Sequence, residues 1–118
     1  SEGTCGKYDF AALTVFAGDD ATARRKILDT FLQEIKAQSD ELNRAKLCRD
    51  GAAASRVAHK WQPIFAMLKI TDMLPLLSQI EAAGGEEWPD GQTELLERLL
   101  ACADEIRDAV ESILIKEE

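Results

Sequence analysis

The chain has 118 residues, the size of one domain, with 46% hydrophobic and 31% charged residues. That balance can bury a core without help from metals and excludes a disordered chain. The net charge of −8 argues against nonspecific binding to nucleic acid, and no apolar run is long enough to span a bilayer.

Every strong periodicity is helical, and no segment alternates as a strand does. Asp9 is placed to cap a short helix from Phe10 to Ala17 that Gly18 ends. Asp19 or Asp20 then caps a long helix with the apolar face Ile27, Leu28, Phe31, Leu32, Ile35, Leu42 and Ala45. Cys48-Arg49-Asp50-Gly51 reads as a turn, with Asp50 capping a third helix over about Gly51 to Leu68. Thr71 is expected to cap a fourth, carrying Met73, Leu74, Leu77 and Ile80, with Pro75 near its first turn and Gly84-Gly85 ending it. A last helix starts near Thr93, with the stripe Leu95, Leu99, Ala103, Ile106, Val110 and Ile113, flanked by Leu96, Leu100 and Leu114.

The expected fold class is therefore all-α: an up-and-down antiparallel four-helix bundle with a short additional N-terminal helix. The bundle would span residues 8–117, behind a flexible segment at 1–7. The cysteines, Cys5, Cys48 and Cys102, fit no zinc or redox spacing and cannot all pair within one chain. Read as reduced thiols, they imply a cytosolic setting.

Charge is unevenly distributed. Residues 44–69 hold Arg44, Lys46, Arg49, Arg56, Lys60 and Lys69 against Asp50, a band of +5 on a remainder of −13. The only histidine, His59, lies inside this band. At 3.6 residues per turn, Val57, Trp61, Ile64, Phe65 and Leu68 share an arc about 100° wide, and His59 sits about 170° from its centre. The imidazole should face solvent. Its side of the helix carries only small or compact residues: Ala52, Ser55, Pro63 and Ala66. Arg56 and Lys60 are like charges four residues apart, which costs a helix a few tenths of a kcal/mol. An anion drawn to the imidazole would account for the pair. An exposed ring has a lone pair able to attack phosphorus, with these cations to offset the phosphoryl charge. Pro63 removes the helical partner of the His59 carbonyl, so a kink is expected there.

These residues carry a family likeness. Tyr8-Asp9-Phe10-Ala11-Ala12-Leu13, then Gly18-Asp19-Asp20 and a long helix with Leu28 and Phe31, resemble the opening of a histidine-containing phosphotransfer domain. The stretch from Asp50 to Lys60, Asp-Gly-Ala-Ala-Ala-Ser-Arg-Val-Ala-His-Lys, is similar to the approach to that family's phosphorylated histidine. The likeness runs from about Tyr8 to Lys116. It departs from the family pattern at Gln62 and Pro63, where the family commonly has lysine and glycine.

The resemblance implies a phosphocarrier of bacterial multistep phosphorelays, a cytoplasmic module without kinase activity of its own. It would be a segment of a hybrid sensor histidine kinase whose full-length form can be anchored in the inner membrane. His59 would take a phosphoryl group from a receiver-domain aspartate and pass it to or from another receiver. Lys60, Arg56, Gln62 and Pro63 would support it, and Ala52, Ser55 and Ala66 would form the docking surface. The domain itself would need no cofactor or metal. A divalent metal, magnesium by the same likeness, would belong to the receiver. The alternative from a different class is a non-catalytic helical adaptor, or a pseudo-phosphotransfer module in which His59 is incidental. A metal-binding bundle is disfavoured, because the inward carboxylate and histidine pairs such bundles use are missing.

Overall fold

The computed structural model describes residues 5–85 and 87–116. Among these the chain is all-helical, with no strand: α1 (Ala11–Thr14), α2 (Ala21–Cys48), α3 (Gly51–Met67), α4 (Leu74–Ala82) and α5 (Gln92–Lys116). A 3₁₀ turn, Val15–Ala17, follows α1, and another, Thr71–Met73, precedes α4.

The helix starts follow local chemistry. The carboxylate of Asp20 accepts from the N–H of Ala23 at 3.0 Å, and that of Asp50 from Ala53 at 3.1 Å. Each satisfies a donor that a helix start leaves unpaired. Between α2 and α3, Arg49 turns the chain in a left-handed conformation (φ 55°). The expected cap at Thr71 is not formed. Thr71 begins the 3₁₀ turn instead, and α4 starts at Leu74 without a side-chain cap. Pro75 occupies its first turn, where a missing N–H costs nothing.

The helix α2 packs against α3 and α5, and α4 packs against the same two. Leu28, Phe31, Leu32, Ile35, Leu42 and Ala45 of α2 are buried, together with Ser39. On α5 the buried face is Leu96, Leu99, Leu100, Cys102, Ala103, Ile106, Val110 and Leu114. The buried face is therefore turned by about a third of a residue's 100° step from the expected stripe, toward Leu96, Leu100 and Leu114, leaving Leu95 and Ile113 only partly covered.

The reading of three reduced thiols is overturned. Cys5 and Cys102 are joined in a disulfide (S–S 2.11 Å), and Cys48 is free and exposed. The 97 residues separating the two give no local sign of their pairing. A second tie, from the Asp9 N–H to the Leu68 carbonyl (2.9 Å), holds the same segment against the end of α3. Closing so long a loop is worth about 4–5 kcal/mol through the entropy of the unfolded chain. The argument for a cytosolic setting rested on reduced cysteines and loses that ground. Of the segment expected to be flexible, residues 1–4 lie outside the described residues, while Cys5 is buried in the core. No helix of the described residues is long and apolar enough to cross a membrane.

Candidate functional site

The helix α3 has two contrasting sides. Ala53, Ala54, Val57, Ala58, Trp61 and Phe65 are buried. Trp61 stacks on Phe65 (centroids 5.5 Å apart, planes at 14°) and donates its indole N–H to Gln38 of α2. These contacts fix the rotation of α3 about its axis. His59 consequently points outward, its side chain 75% exposed, as the helical arithmetic requires.

A polar seam with α4 lies beside it. The Ser55 hydroxyl donates to the Glu81 carbonyl at 2.8 Å, and the Gln62 amide donates to the Ser78 hydroxyl at 3.0 Å. Between these two bonds, His59 Nδ1 stands 2.7 Å from Glu81 Oε2. The chain just after α4 can come this close because Gly84 has no side chain. A Cβ there would sit 2.5 Å from that of Ser55.

The pair has a definite chemical consequence. A carboxylate oxygen only accepts, so the proton of this bond sits on Nδ1. In the neutral ring the lone pair is then on Nε2, which has no protein partner among the described residues. Glu81 thus fixes both the ring orientation and the tautomer, as carboxylates do for catalytic and metal-bound histidines.

The remaining expected site residues divide. Ala52, Pro63 and Ala66 are exposed on the histidine's side, and Ser55 is half-buried in the seam. Gln62 serves the seam rather than the ring. Lys60 is exposed and makes no ion pair among the described residues. Arg56 turns to Glu41 of α2 (3.8 Å). Lys46 likewise reaches Glu97 of α5 (3.8 Å). The basic band is therefore partly neutralised by neighbouring helices and does not form a continuous cationic collar around His59. The helix α3 runs through Pro63 without a break. The orphaned His59 carbonyl lies on the wet side of the helix, where water can satisfy it.

Glu81 is the residue sequence reasoning missed. It lies 22 positions from His59, and only the pairing of α3 with α4 brings the two together. Among the described residues, no three His, Cys, Asp or Glu side chains are grouped to hold a metal. No family model, no curated protein and no solved structure matches the chain.

Proposed function

We propose that the protein is a phosphocarrier module that accepts a phosphoryl group on Nε2 of His59. The observation that carries this reading is an exposed imidazole whose Nδ1 is held by Glu81, leaving Nε2 unoccupied. In the same reading, α2 to α5 form an up-and-down four-helix bundle with α1 appended. Packing of α2 and α4 against both α3 and α5 supports that arrangement.

The donor is an aspartyl phosphate on a receiver domain docked over Ala52, Ser55 and Ala66. The Nε2 lone pair attacks phosphorus in line. The N–P bond forms as the P–O bond to the aspartate breaks, and the aspartate leaves as a carboxylate. Nδ1 keeps its proton, so the phosphorylated ring becomes cationic. The Glu81 carboxylate offsets that charge, and Lys60 faces the arriving phosphoryl oxygens. Magnesium belongs to the receiver. The sulfurs of Cys5 and Cys102 take no part in this chemistry.

A second reading is a docking module in which His59 is not phosphorylated. It is favoured by the engagement of Arg56 with Glu41 and by proline at position 63. The test is incubation with a panel of phosphorylated receivers, with and without reductant, using wild type and His59→Gln. An acid-labile, base-stable adduct on the wild type alone supports the carrier. Wild type that stays unmodified across the panel, while still binding a receiver, supports the docking module.

A further inference from the structure

A separate surface, away from the His59 seam, has the features of a self-association site. A groove of about 540 Å³ runs along α2, walled by Leu13, Ile27, Phe31, Ile64 and Met67. Two residues on from Leu13 of its wall, the 3₁₀ turn after α1 begins and exposes Val15 (63%) and Phe16 (97%).

The outer face of α2 carries a pattern that specifies an occupant. Ala23, Lys26, Thr30, Glu34 and Ala37 recur at spacings of three and four and lie within about 80° of arc. Small residues at 23, 30 and 37 allow a second helix to approach closely. Two charges on this arc are antisymmetric about Thr30, Lys26 one turn before it and Glu34 one turn after. A twofold axis through Thr30, perpendicular to the helix, places Lys26 opposite Glu34 of an identical helix running the other way. It also places Ala23 opposite Ala37. A twofold interface requires this self-complementarity, whereas a foreign partner would not.

We infer that this face of α2, with the adjoining apolar groove, binds a second copy of the chain in an antiparallel, twofold-symmetric dimer. The inference does not rest on phosphotransfer. The wall residues from α3, Ile64 and Met67, are not part of the hydrogen-bonded seam with α4.

The test is sedimentation equilibrium on the full chain, up to about 1 mM. Wild type should show a monomer–dimer equilibrium. Thr30→Arg puts like charges together on the axis and should weaken association about a hundredfold or more. Lys26→Glu and Glu34→Lys should each weaken it about tenfold, since each creates two like-charge pairs by symmetry. The double variant Lys26→Glu/Glu34→Lys should restore the wild-type constant. Within one molecule the two residues are two turns apart, so mutual rescue has no intramolecular explanation. All three substituted positions fall on the exposed helix face, and circular dichroism checks that each variant is folded. A wild type that is monomeric throughout, or single variants whose losses simply add in the double, would overturn the dimer and leave the groove to another occupant.

Discussion

The two sides of α3 are held by different forces. Toward α2, Trp61 and Phe65 are fully buried and stacked, and one indole hydrogen bond to Gln38 completes the contact. Toward α4, buried Leu77 and Ile80 share the core, but at the solvent edge of the contact the side chains are polar and at least partly exposed, joined by short hydrogen bonds across a glycine-permitted approach. Burial supplies stability in proportion to area removed from water and tolerates small shifts. Hydrogen bonds supply less energy but fix atoms to within tenths of an ångström. The first side therefore sets the rotation of α3, and the second sets the position of one imidazole. A reactive group gains from this division, since its surroundings can be changed without unfolding the protein.

Removing bulk from the apolar side should have the largest effect. Trp61→Ala is expected to cost about 3–5 kcal/mol in denaturant unfolding, through lost burial and a cavity. A loss below 1 kcal/mol would show that the stacked side is not the main anchor. Gly84→Ala attacks the other side by pressing a methyl group into Ser55. It should cost about 1–3 kcal/mol and also slow phosphoryl transfer, because α4 must move away from His59. Ser55→Ala removes one bond of the seam, for about 1 kcal/mol. Glu81→Ala sharpens the contrast most. The hydrogen bond to His59 is at the surface, so the melting temperature should hardly change. Transfer to His59 should nonetheless fall about 10–100-fold, and the ring ¹⁵N shifts should report a mixture of tautomers. Unchanged tautomer signals would break the proposed division of labour.

The smallest effect lies outside both sides. The phenol of Tyr8, the only tyrosine, is pushed above its ordinary value of 10.0 by burial and then by the charge of Glu105. The folded state thus holds this proton longer than the unfolded chain. The stability it contributes is complete below pH 10.0 and is lost as pH rises through the folded value. Absorbance near the phenolate band should show a higher midpoint for the native protein than in denaturant.

Much of the architecture was legible because it depends on neighbours in sequence. The caps at Asp20 and Asp50 involve residues three positions apart, and the outward direction of His59 follows from its offset to Val57, Trp61 and Phe65. Where two overlapping stripes compete, pattern alone misleads. Leu95 and Leu96 are adjacent, as are Ile113 and Leu114, and only packing chose the second of each pair. Ser39 entered the core because its turn of α2 faces inward, whatever its polarity. Thr71 carries good capping chemistry, but the tight turn before Pro75 starts the helix later. The candidate site was legible in one half only. The ring and its small neighbours could be read from α3 alone. Glu81 belongs to α4, and the partner that diverts Arg56 belongs to α2. Both contacts depend on how helices pair, which no single segment encodes. The Cys5–Cys102 pairing is the extreme case.

That cross-link also changes what a protease can accomplish. A cut at any one peptide bond between residues 5 and 102 yields two pieces still fastened to each other. The nicked molecule gains only one water and migrates as a single band until a reducing agent is added, when it separates into two. Cleavage at the exposed turn around Arg49 would then leave the His59 fragment covalently tethered to the rest of the protein.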